Sequence, residues 1–215
     1  LDRLLGAQIH WTGENRKGED IPRVYDLLKS KGKTPYIVPY GGSNELGAYA
    51  FSRALVELED QMDTGQLTHI VFASSSGGTH AGLMLGKALL KRKYELVGIN
   101  IDKDEIDGLN LDDHIIRLAN KTNDAINADI RFNANELILD DRYVGDGYGV
   151  VGKLETEAIR LLARHEGILM DPVYTGRAMG AMIDMVRSGE LTREDTVLFW
   201  HTGGTPSLFS YAESF

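Results

Sequence analysis

The 215-residue chain contains no cysteine, which excludes disulfide bonds, thiolate nucleophiles and cysteine-held metals. It is also short of positive charge. Its 23 Lys and Arg stand against 32 Asp and Glu, a net charge of −9, and the longest basic run is Lys91-Arg92-Lys93. A nucleic-acid surface would show a basic face, so that class of function is set aside and the triplet reads as a solvated helix end. No apolar stretch approaches the roughly 20 residues of a membrane span, and no signal peptide opens the chain. These absences point to a cytoplasmic protein with neither nucleic acid nor membrane as its partner. Missing as well are the Gly-Lys-Ser/Thr ending of a Walker loop, the dinucleotide pattern G-x-G-x-x-G, H-E-x-x-H, a Ser/His/Asp spacing and any carboxylate cluster with metal-ligand spacing. The six histidines are scattered, and no metal is expected.

What is present is the composition of a globular protein, 42% hydrophobic and 26% charged, long enough for one domain or one and a fraction. Apolar runs of strand length occur at residues 7–11, 35–40, 69–73, 95–101, 136–139 and 196–201. Helical periodicity lies between them. Residues 21–30 carry Pro22 in the first turn and Gly32 as a stop, and residues 44–62 have Ser43 as N-cap. Further helices are predicted at 79–91, 112–126, 154–166 and 176–187. The alternation predicts an α/β fold with a mostly parallel sheet, whose ligands bind beyond the carboxyl ends of the strands.

One such end is Ala73-Ser74-Ser75-Ser76-Gly77-Gly78-Thr79-His80-Ala81-Gly82, a polar loop between a strand and a helix. It turns backbone N–H groups and the positive end of a helix dipole toward one point, an arrangement that suits a phosphate. An ordinary strand-to-helix turn is the competing reading. Gly41-Gly42-Ser43-Asn44 and His201-Thr202-Gly203-Gly204-Thr205-Pro206 follow two other predicted strands. Three such loops at equivalent strand ends would line one crevice, although Gly41 and Gly42 read simply as tight-turn glycines. Tyr148 sits in a glycine-flanked loop and Tyr174 at the start of a helix; each phenol is a candidate proton carrier beside the common role of a packed ring. The acids of 102–107 and 140–141 read as solvating loops or capping helices.

Several of these segments together resemble a known family. Gly41-Gly42-Ser43-Asn44 with Leu46-Gly47-Ala48, Ser76 to Gly82, Tyr148-Gly149-Val150, Glu166 to Gly176 and His201-Thr202-Gly203-Gly204 resemble the D-cysteine desulfhydrase and 1-aminocyclopropane-1-carboxylate (ACC) deaminase family, in order and over nearly all of the chain. The resemblance implies pyridoxal 5′-phosphate (PLP) as cofactor and the three-layer, tryptophan-synthase β-like fold of PLP fold type II. It implies that Ser75, Ser76, Gly77, Gly78 and Thr79 bind the cofactor phosphate, that Tyr148 and Tyr174 are the active-site tyrosines, and that Thr175 and Thr202 lie near the pyridine nitrogen. The deaminases resemble one another in having Glu and Leu at the last two places and the desulfhydrases in having hydroxyl residues. The threonines therefore favour a lyase converting D-cysteine to pyruvate, ammonia and hydrogen sulfide, with ACC deaminase as the close rival. A carboxylate beside the ring nitrogen would make a stronger electron sink, as opening a cyclopropane requires, whereas a hydroxyl suffices when sulfide is the leaving group.

The family's Schiff-base lysine, in a G-G-N-K type segment, and its Ser- and Asn-containing loop for the substrate carboxylate lie upstream of the matching region. Lys87 and Lys153 match no catalytic position, and Val151-Gly152-Lys153 departs from the family's usual Pro-Asn-Glu. The chain opens at Leu1 without methionine, so an incomplete fold is expected, carrying half of a PLP site and no tethering lysine. On that view residues 1–40 are the C-terminal part of a small domain with exposed apolar surface, and 41–215 are most of the large PLP-binding domain. A homodimer acting on a small amino acid is the expected assembly. A non-catalytic PLP- or phosphate-binding homologue, or an unrelated α/β protein binding a nucleotide monophosphate at 74–79, would be the alternatives.

Overall fold

The computed structural model describes every residue except 16–17, 103–104 and 107, so Asp104 and Asp107 of the acidic loop lie outside the described residues. Four parallel strands form the sheet: β1 (His69–Ser74), β2 (Glu95–Asn100), β3 (Ile138–Asp140) and β4 (Val197–Phe199), in the order β3-β2-β1-β4. Seven α-helices accompany them among the described residues: α1 (Ile21–Ser30), α2 (Glu45–Gln61), α3 (Gly78–Leu89), α4 (Leu111–Ala125), α5 (Lys153–His165), α6 (Thr175–Ser188) and the short α7 (Thr205–Leu208). None is long and apolar enough to cross a membrane.

The period-two alternation of a strand divides the core into two layers. On β1, Ile70 and Phe72 join Leu55, Leu83, Leu85 and Ile115 from α2, α3 and α4, while Val71 and Ala73 face the opposite cluster with Ala178, Ala181 and Met185 of α6. On β2, Leu96 belongs to the first layer and Val97 and Ile99 to the second. The predicted helix–sheet–helix sandwich is therefore formed. Each fully buried Leu, Ile, Val or Phe contributes about 1.5–3 kcal/mol relative to exposure. The chain leaves β1 toward β2 and β3 on one side and returns with β4 on the other, so the sheet order reverses at β1. That reversal opens a crevice at the carboxyl ends of β1 and β4.

Two predicted strands are absent. Residues 7–11 and 35–39 make no sheet ladder, and Tyr40–Gly42 forms a tight 3-10 turn. Their β-branched and aromatic side chains carry the right propensity, but Trp11, Tyr36 and Val38 are 79%, 76% and 62% exposed, with no sheet face to pack against. Strand propensity is largely a measure of such packing. Among the described residues none before Ala48 is buried. β3 starts two residues later than predicted, because Ala134–Glu136 is a 3-10 turn capped by Asn133 and Glu136. The N-cap of α2 is Asn44, whose Oδ1 accepts from the Gly47 N–H at 2.9 Å, and not Ser43. Asp140 and Asp141 do not simply solvate a loop either: Asp140 accepts from Arg142, and Asp141 accepts from Asn100 Nδ2 at 2.5 Å.

Candidate active site

A cavity of about 420 Å³ occupies the crevice. Its walls come from Tyr40 and Gly41, from residues 73–77 with Thr79 and His80, from Asp171 and Tyr174, and from 202–204. All three Gly- and hydroxyl-rich loops converge there, including Gly41, which the sequence left as a plain turn residue.

The first wall is the loop between β1 and α3. α3 is a 12-residue helix, and its first-turn N–H groups have no partner within the helix. Ser43 Oγ accepts the Gly78 N–H at 3.1 Å and donates to Ser76 Oγ at 2.7 Å, joining the loop to the segment before α2. That approach requires glycine at 41. Gly41 has φ +62°, and a Cβ there would lie 2.1 Å from Ser76 Oγ. No acidic side chain occurs within 75–79, so the exposed polarity is hydroxyl and N–H. Beneath the loop, His80 is fully buried; its Nδ1 is 3.3 Å from Ser74 Oγ and its ring packs edge-on against Phe72 at 4.8 Å. Burial pushes the imidazole down to about 3, so it is neutral and adds no charge below the cradle.

The second wall is built by α6. Asp171 is buried and caps the helix: its Oδ2 accepts the N–H groups of Val173 and Tyr174, both at 2.8 Å, and its Oδ1 accepts the N–H and the hydroxyl of Thr175, both at 2.7 Å. The Thr175 hydroxyl also accepts from the Asp171 N–H at 3.1 Å. Gly204 makes room for this carboxylate, since a Cβ there would stand 2.8 Å from Asp171 Cβ. The Tyr148 and Tyr174 hydroxyls are hydrogen-bonded to each other, with ring centroids 5.8 Å apart at 72°. Burial raises both phenols; their mutual bond raises Tyr174 further and partly offsets the rise at Tyr148. Both are therefore protonated at neutral pH.

The cavity lining thus takes in Ser75, Ser76, Gly77, Thr79, Tyr174 and Thr202 of the predicted site residues. Gly78, Tyr148 and Thr175 are not part of that lining; Gly78 backs the cradle through Ser43, Tyr148 joins through Tyr174, and Thr175 is buried behind Asp171.

Over residues 1–203 the sequence matches the family described as pyridoxal-phosphate dependent enzyme. The chain belongs to that family. The structure is similar to that of an ACC deaminase homologue, with a TM-score of 0.87 and 29% identity, covering 99% of this chain and 63% of that one. This chain therefore spans less than two thirds of that relative's length. Two structures of O-ureido-L-serine synthase, one of them a variant bound to O-ureido-L-serine, share the fold at TM-scores of 0.59 and 0.52, with 13% and 17% identity. They cover 97% and 92% of this chain, and it covers 61% and 58% of theirs. The fold is the tryptophan-synthase β-like one of the PLP enzymes.

The residues present fit the cofactor's phosphate. The hydroxyls of Ser75, Ser76 and Thr79, the start of α3 and the space kept open by Gly41 form a donor-rich, carboxylate-free cradle. No lysine lines the cavity among the described residues. Lys87 lies in the last turn of α3, and Lys153 lines a separate groove along α5, beside Thr156, Glu157, Arg160 and Arg164. Sequence reasoning missed Asp171 and Arg177. Asp171 stood in the sequence only as part of a signature; its position four residues ahead of the first helical residue, Thr175, and followed by Pro, is the local cue for a cap. Arg177 gave no cue at all, because its partners are distant in sequence.

Proposed function

We propose that this PLP enzyme is a D-cysteine desulfhydrase, releasing sulfide from Cβ and yielding pyruvate and ammonia after hydrolysis. The observation that carries the reading is the state of Asp171. It is the carboxylate in the cavity wall, yet each of its oxygens already accepts two hydrogen bonds within the α6 cap, leaving Thr202 as the neighbouring side chain able to meet a ring nitrogen. A hydroxyl partner supports departure of a good leaving group better than it supports opening a cyclopropane.

In this reading Ser75, Ser76, Thr79 and the start of α3 hold the phosphate. PLP supplies an electron sink for the charge left at Cα once its proton is removed. The chain's own proton chemistry lies at the Tyr148 and Tyr174 Oη atoms. Phenols raised by burial stay protonated at neutral pH and act as hydrogen-bond donors rather than as strong acids or bases, so the pair is suited to orient the substrate amine and to donate a hydrogen bond to the sulfur as it departs as hydrosulfide. Neutral His80 and residues 75–79 add no negative charge beside the phosphate, and the Asp171 carboxylate in the other wall is occupied by the α6 cap. The same reading takes a homodimer as the assembly, which sedimentation of the full-length protein tests, and the cytoplasm as the location.

The rival activity, conversion of ACC to 2-oxobutyrate and ammonia, is favoured by the 29% identity with the ACC deaminase homologue. Assay of the full-length gene product with both substrates separates the two. Sulfide from D-cysteine is expected, and 2-oxobutyrate from ACC without sulfide would overturn the assignment.

A further inference from the structure

One side chain outside the cavity organises its phenol wall. Arg177 lies in the first turn of α6, three residues after Tyr174, and is fully buried. Its Nε donates to Glu155 Oε1 at 2.6 Å; Nη1 donates to the carbonyls of Val144 at 2.7 Å, Ile101 at 3.2 Å and Gly147 at 3.3 Å; Nη2 donates to Val150 at 2.8 Å and Gly147 at 3.3 Å. Three of the four carbonyls belong to the loop that carries Tyr148. Glu155 is itself in the first turn of α5 and accepts the Gly152 N–H at 2.9 Å, closing the far end of the same loop. The loop is rich in glycine, with Gly145, Gly147 and Gly149 all at positive φ, so its own backbone does little to restrict it. A guanidinium fork that satisfies several carbonyls at once supplies the missing constraint.

We propose that Arg177, held by Glu155, is the positioning residue that sets Tyr148 against Tyr174. Tyr174 meets the tip of Tyr148 and Arg177 holds its backbone, and both act from one turn of α6. The inference rests on reading the phenol pair as the proton-handling groups of the site. The geometry explains why a buried ion pair is kept here, where an apolar pair would fill the space with less desolvation: among the described residues the carbonyls of Val144, Ile101 and Val150 would lose their donor, and Gly147 would keep only the Val150 N–H.

The test compares full-length protein with Arg177→Lys and Glu155→Gln variants, by amide exchange and by phenolate absorbance across alkaline pH. Lysine keeps the charge but cannot span the loop carbonyls. Exchange across 144–150 is expected to quicken by about tenfold or more, with α3 unchanged. Hydration of the loosened loop should bring the Tyr174 phenol down toward the ordinary value, since burial and its bond to Tyr148 both raise it, with a smaller net change at Tyr148, which also loses the bond that lowers it. The charged and titratable groups acting on them, Tyr40, Asp102, Tyr211 and Asp171, all oppose ionisation, so none of them masks that fall. Tyr94, raised to about 12 chiefly by burial near Glu59 and Arg92, serves as the internal control and should not move. Tyr148→Phe and Tyr174→Phe backgrounds assign the transitions. A folded Arg177→Lys protein with both readouts unchanged overturns the proposal. If that variant does not fold, Glu155→Gln decides, a smaller change of the same sign supporting the assignment and no change overturning it. Neither readout needs a substrate, so both shifts in a protein without desulfhydrase activity would sink the functional reading and leave the positioning role standing.

Discussion

The two walls of the cavity are built in different ways. The wall that we propose holds the phosphate is mostly local: a strand, a glycine-rich turn and a helix N-terminus, tied down by Ser43 through 3.1 Å and 2.7 Å hydrogen bonds. The phenol wall is assembled from afar, with Arg177 bonded to groups 22 to 76 residues away in sequence. The cradle can lose a hydroxyl and keep its shape, because backbone N–H groups and the helix dipole remain. The phenol wall depends on one charge in a fully buried position, and damage there spreads to every segment that charge joins.

The largest break in this contrast should come from Glu155→Ala, which leaves the Arg177 charge buried without its counter-ion. A loss of about 3–5 kcal/mol in denaturant unfolding is expected; a loss below about 1 kcal/mol would mean that the carbonyls alone hold the guanidinium. Tyr174→Phe should lower sulfide release by the full-length enzyme by about 10²–10⁴-fold while costing only about 1 kcal/mol of stability, separating the chemistry of that wall from its architecture. On the cradle side, His80 sets an acid limit. Its folded pKa lies well below the 6.5 of a free imidazole, so its contribution is complete above pH 6.5 and is lost as pH falls toward about 3. Stability should decline by up to about 1.4 kcal/mol per pH unit below that point, and His80→Gln should flatten the limb between pH 6.5 and 5, above the range of ordinary carboxylates. A slope unchanged in His80→Gln would assign the limb elsewhere. Gly41→Ala places a Cβ against Ser76 at positive φ and should weaken PLP binding about tenfold at a cost near 1 kcal/mol; equilibrium titration with PLP measures it. The smallest effect belongs to Ser43→Ala, about 1 kcal/mol, with the cradle intact by PLP titration.

The contrast explains what could be read from the residues in order. Helices α1 to α6 fall within two residues of the predicted bounds, since each carries its own apolar period and its own stop. The convergence of the 41–44, 73–82 and 201–206 loops followed from their common place at predicted strand ends, although the segment before Gly41 turned out not to be a strand. Residues 7–11 and 35–39 failed as strands because period and propensity say which residues prefer extended backbone and cannot supply a neighbouring strand. Thr175 shows a finer limit: a hydroxyl in a signature has no direction, and here it points into the α6 cap, bonded to Asp171.

By itself the sequence determined the α/β sandwich, through periodic burial, and the strand–loop–helix turn at 69–89, through residues close in the chain, while the cofactor class followed from the family resemblance. The tertiary structure decided that Asp171 is consumed as a cap, that His80 is neutral, and that Arg177 and Glu155 hold the Tyr148 loop. Those outcomes depend on burial and on hydrogen bonds between distant segments. A buried charge acquires its partners only when several chain segments close around it, and no local pattern records which ones they will be.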